Sequence, residues 1–148
     1  MKPLWLDRNL VQSPCFLTLC ASPATFAHVL KHLKVPQDQT PAFVSGGKSA
    51  TVHFFESPEH NLCAVVCISP NATVEPIQVA ALLVHEAVHV WQAIREDLGE
   101  KDPSSEFEAY SIQSIAQGLM YEYARQAVVT AAKPRQPRRG VKRTRRTA

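Results

Sequence analysis

Residues 85–89 read His-Glu-Ala-Val-His, an H-E-x-x-H motif inside the apolar stretch ALLVHEAVHVWQAIRED, residues 81–97. On a helix, residues four apart lie one above the other, so His85 and His89 can offer two imidazoles to one ion. Glu86 is offset from His85 by about 100°, near enough to hold a water beside that ion without ligating it. Imidazole is a common zinc ligand, and zinc with an open position lowers the pKa of its water to about 7 and polarises a carbonyl. A carboxylate beside that water can act as general base, which is the chemistry a hydrolase needs. Two histidines and a glutamate in an apolar helix otherwise require polar partners of their own.

A zinc site needs a third protein ligand, and the segment SSEFEAYSIQSIA, residues 104–116, supplies candidates. A short connection after the first helix lets a second fold back as a hairpin, so a carboxylate in its first turn can reach the ion. Glu106 and Glu108 both qualify, but they lie about 200° apart on a helical wheel, so only one can face it. Glu108 falls within the apolar stripe of Ile112, Ile115 and Leu119. Glu106 falls on its flank beside Tyr110, where a site open to water fits better. The residues alone leave this choice open.

The combination HEAVH, a short gap and then EFEAY resembles the gluzincin group of zinc metallopeptidases. Several of its families carry H-E-x-x-H followed by E-x-x-A-D or E-x-x-A-N on the next helix, with the first glutamate as third ligand. The membrane-associated CAAX-processing peptidases and the repressor-cleaving peptidases of mobile elements are examples. Residues 80–116 carry the resemblance. It implies a zincin-like α+β fold, one zinc per chain held by His85, His89 and Glu106, and Glu86 as general base acting on a peptide or protein substrate. Ala109 matches the small residue of the pattern. The whole arrangement is also similar to small uncharacterised proteins encoded by phages and prophages, which implies a phage-encoded peptidase in the host cytoplasm. Tyr110 stands where those families place Asp or Asn, the residue that usually orients a ligand histidine. A phenol does not carry the charge of that acid, although its hydroxyl could donate to a developing oxyanion.

The elements that must position these groups follow from periodicity and turn chemistry. SPCFLTLCAS reads as a strand from Cys15 to Cys20. Ser22-Pro23 then supplies an N-cap and a first-turn proline, and Phe26, Val29, Leu30 and Leu33 give Pro23 to Lys34 an amphipathic helical pattern. Ala50–Glu56 and Leu62–Ser69 are rich in β-branched and aromatic residues and are separated by turn residues, which suggests an antiparallel hairpin. A long helix is expected from about Pro76 to Asp97, stopped by Gly99. A second is expected from Asp102-Pro103 to about Ala131, with an apolar stripe of Ile112, Ile115, Ala116, Leu119 and Tyr123. The fold class is therefore α+β: a small antiparallel or mixed sheet packed on the HExxH helix, followed by a second long helix.

The 148 residues suit one domain with a single core. Eight of the sixteen Lys and Arg fall in residues 133–148, KPRQPRRGVKRTRRTA, which hold no acid. Residues 1–132 then keep eight bases against thirteen acids, a net charge of −5 beneath the overall +3. The chain divides into a zincin-like domain, residues 1–132, and a basic tail, residues 133–148, whose composition is that of a disordered segment. Such a tail suits non-specific binding to nucleic acid phosphates or to an acidic partner, but it has no aromatic residue for base stacking. A non-enzymatic alternative on the same fold is a phage assembly or virion component, or a nucleic-acid-associated factor acting through this tail.

No signal peptide is apparent, because Asp7, Arg8 and Asn9 interrupt the N-terminal apolar residues. No apolar run is expected to approach the roughly 18 residues of a membrane span, so no membrane partner is expected. Cys15, Cys20, Cys63 and Cys67 have spacings that fit neither a zinc ribbon nor a redox pair, and they read as buried free thiols of a reducing cytosol. His53, on a strand, and His60, in a turn, could approach the site from the sheet edge. A substrate peptide could add to that edge by backbone pairing. Residues 42–49, AFVSGGKS, approach a phosphate-loop pattern, but a strand rather than a helix is expected after them, which denies phosphate the helical N–H groups it needs.

Overall fold

The computed structural model describes residues 13–69 and 75–132. The tail from residue 133 onward lies outside the described residues. The elements run β1 (Cys15–Cys20), α1 (Pro23–His32), β2 (Ala50–Glu56), β3 (Leu62–Ile68), α2 (Pro76–Asp97) and α3 (Ser105–Ala132). The strands form one mixed sheet in the order β1-β3-β2, with β1 parallel and β2 antiparallel to β3. The expected α+β class, with a small mixed sheet against two long helices, is what the chain adopts.

Strand alternation divides the core. Leu62, Ala64, Val66 and Ile68 of β3, with Ala50 and Val52 of β2, face α2 and α3. Val65 and Cys67, with Phe55, face α1, where they meet Phe26 and Leu30. Because β3 is central and covered on both faces, its residues from Cys63 to Ile68 are all buried. The four cysteines are buried and free, with Cys15 and Cys20 on opposite faces as the odd spacing requires.

α2 covers one face of the sheet through Val79, Leu83, Ala87, Val90, Trp91 and Ile94. Full burial of each large apolar side chain contributes roughly 1.5–3 kcal/mol. Pro76 opens the helix and Gly99, at φ 68°, closes it. There the Gly99 N–H donates to Glu96 O and the Glu100 N–H to Arg95 O, so a left-handed residue satisfies the last carbonyls. By length and composition alone α2 could cross a membrane. Its apolar side is instead packed between the sheet and α3.

Two helix ends depart from expectation. α1 stops at His32, with Lys34 taking the left-handed turn at φ 57° and the Val35 N–H donating to Leu30 O. Val35 precedes Pro36, which disfavours further helix. α3 begins at Ser105 rather than Pro103, because Ser104 is the cap: its Oγ accepts from the Phe107 N–H at 3.3 Å and its carbonyl from the Glu108 N–H at 3.0 Å. α3 then packs Ala116 and Leu119 into the core, with Ile112, Ile115 and Tyr123 beside them. Farther on, Gln126 donates to Leu19 O and accepts from the Ala21 N–H, tying the helix to the end of edge strand β1.

Candidate functional site

The motif lies in the middle of α2, on the side turned from the core. His85 and His89 are exposed, and their Nε2 atoms converge to 3.2 Å with the rings nearly perpendicular. Two nitrogens bound tetrahedrally at 2.0–2.1 Å would stand about 3.3 Å apart. The pair therefore fits two corners of a zinc site. Beyond it, the His89 Nδ1 meets Gln92 Oε1 at 3.2 Å.

Glu86, one step round the helix, is 5% exposed and is the one buried charged side chain among the described residues. It nonetheless lines a groove of about 1330 Å³ together with His85 and His89. The opposite wall is β2, through Thr51, Val52 and Phe54, with Leu62 and Leu82 adding apolar surface. Among the described residues β2 is an edge strand, so one row of its backbone groups has no strand partner among them. The charge of Asp97 reaches Cys15, whose partner in the sheet is Leu62, so the C-terminal end of α2 lies at the Leu62 end of the sheet. Lys48 and Gln78 accordingly line one end of the groove, and Glu96 and Asp97 the other.

The third-ligand candidates fare differently. Glu108 is half-buried and accepts a hydrogen bond from the Trp91 Nε1–H at 2.9 Å. Phe107 packs edge-on against the same indole, with centroids 5.3 Å apart. Trp91 lies about 200° round α2 from His89, so these contacts seat the start of α3 on the side away from the histidine pair. Glu106 is exposed in the first turn of α3. Among the described residues, no three His, Cys, Asp or Glu side chains come close enough to hold a metal ion. The structure thus brings together His85, His89 and Glu86, but not Glu106.

Tyr110 is 64% exposed and lines a separate cleft with Trp91, Leu98 and Phe107, so its hydroxyl is not beside the pair. His53 points toward α1: its ring stacks on Phe26 at 5.2 Å and its Nε2–H donates to Phe43 O at 3.2 Å. His60 occupies the β2–β3 turn at φ 63° and bonds Glu56. Neither lines the groove. Residues 42–49 run directly into β2.

Sequence reasoning missed two participants. Gln92 had a signal, since it lies three residues beyond His89 and such pairs are neighbours on a helix. The Trp91–Glu108 bond had a weaker one, the placement of Glu108 within the apolar stripe of α3. No protein-family model, curated protein or solved structure matches the chain.

Proposed function

We propose that the chain is a zincin-like zinc metallopeptidase of gluzincin type, phage-encoded, that cleaves an extended peptide lying along β2. The observation that carries this reading is the convergence of the two Nε2 atoms beside a buried glutamate in a groove of about 1330 Å³. His85 and His89 would hold zinc, and Glu106 would become the third ligand on a shift of the first turn of α3, which is seated here away from the pair. Glu108 is engaged by Trp91, whereas no hydrogen bond engages the Glu106 side chain among the described residues.

Zinc would supply Lewis acidity, activating a water and polarising the scissile carbonyl. Glu86 takes the proton of the attacking water and passes it to the leaving amine. Its burial, at 5% exposure, limits the orientations open to its carboxylate. β2 orients the peptide by backbone pairing, which holds the scissile bond over α2 whatever its side chains.

Elemental analysis of the purified chain, with a peptide-library digest of wild type and Glu86→Gln, tests this. One zinc per chain is expected in both, with hydrolysis falling by about 10²–10⁴ in the variant. Full activity in Glu86→Gln would refute the mechanism. A second reading, a non-enzymatic phage assembly component or nucleic-acid-associated factor, draws on the placement of Tyr110 in a separate cleft, which leaves the pair without a phenolic donor. It predicts no proteolysis across the library and a tight complex with a structural partner.

A further inference from the structure

We propose that Gln92 is a positioning residue for His89, fixing the tautomer in which that ring can bind a metal through Nε2. The inference rests on the zinc reading above and concerns what holds one ligand in place.

A neutral imidazole carries one N–H. It can ligate through Nε2 only when the proton is on Nδ1, and an acceptor facing Nδ1 keeps it there. Gln92 Oε1 stands 3.2 Å from the His89 Nδ1, and an amide oxygen only accepts. The proton therefore sits between these two atoms, and the His89 Nε2 lone pair is directed toward the His85 Nε2, 3.2 Å away. In the metal-free chain His85 donates its Nε2–H to that lone pair. When an ion takes this place, His85 must carry its proton on Nδ1 instead, whereas His89 needs no change.

Gln92 lies one turn beyond His89 on the same helix and lines the same groove. Its contact is built by α2 alone and does not depend on where α3 starts. That makes it a substitute for an orienting acid on the second helix, the position filled here by Tyr110. A neutral amide enhances the basicity of the ring less than a carboxylate would, so an acid at position 92 should hold zinc at least as well.

The test is zinc affinity by competition with a chelator, on the full chain at neutral pH, for wild type, Gln92→Leu, Gln92→Ala and Gln92→Glu. Both apolar replacements should weaken zinc binding by about 10–100-fold. Gln92→Glu should match or exceed wild type. Gln92 is exposed, so the thermal midpoints of the metal-free variants should agree with wild type. Cobalt substitution adds a spectroscopic readout: the visible bands of the wild-type site should change in Gln92→Leu and persist in Gln92→Glu. Apolar variants that bind zinc as tightly as wild type would overturn the role of Gln92 alone. A wild-type chain that binds no zinc would overturn the metal site itself.

Discussion

The Trp91 indole donates its Nε1–H to a carboxylate oxygen of Glu108 across 2.9 Å, joining α2 to the first turns of α3. Trp91 is 1% exposed, so this is the partner of a buried donor. The bond, with Phe107 edge-on to the same ring, sets the rotation of α3 about its axis.

Replacing Glu108 by alanine should leave the indole N–H unsatisfied, at a cost of about 1–3 kcal/mol. The expected result is a lower urea midpoint with zinc content unchanged. Glu108→Gln keeps an acceptor and should recover most of the loss. If Glu108→Ala instead kept full stability and lost zinc, Glu108 would be the ligand.

Glu106→Ala makes the opposite prediction. Its side chain is exposed and makes no hydrogen bond among the described residues, so stability should change by less than about 0.5 kcal/mol. If Glu106 is the third ligand, zinc affinity should fall by more than the roughly 10–100-fold that loss of an orienting partner costs. Chelator competition on the two variants side by side separates the roles.

The choice between these two glutamates shows where sequence reasoning reached its limit. The three strands and both ends of α2 follow from local signals, namely β-branched runs, turn residues, Pro76 and Gly99, and they appear where those signals place them. The start of α3 was off by two residues because Asp102-Pro103 and Ser104 are both acceptable caps, and only tertiary packing selects between them. The face that α3 turns toward α2 depends on one long-range contact, Trp91 with Phe107 and Glu108, which no periodicity encodes. The histidine pair was legible because His85 and His89 are neighbours on one helix. A third ligand for the proposed zinc was not, because it would have to come from another helix.

The thiols predict a loss of stability in alkali. Burial pushes Cys15 up to about 11 from 9.0, and burial also raises Cys63. A thiol whose folded pKa is raised keeps its proton where the unfolded chain has already lost it. Its stabilising contribution is complete below about pH 9 and is lost as pH rises toward 11. For Cys15 the loss should be on the order of 2 kcal/mol. Urea midpoints at pH 8 and 10.5 should show the decline, and Cys15→Ala should flatten it. A steep decline unchanged in Cys15→Ala would place its origin elsewhere.

The separation of charge predicts that residues 133–148 control contact with polyanions. The body carries −5 and the tail +8, so the body alone should be repelled by DNA. The full chain should bind double-stranded DNA weakly and without sequence preference, with affinity falling steeply between 50 and 200 mM salt, as about eight released counterions require. A chain ending at residue 132 should show no such binding. Zinc content and hydrolysis of short neutral peptides should be the same in both, because the groove is lined by residues 48–52, Phe54, Leu62 and α2. Binding that survives truncation would require a basic surface on the body, whereas peptide hydrolysis lost with the tail would make the tail part of the catalytic unit.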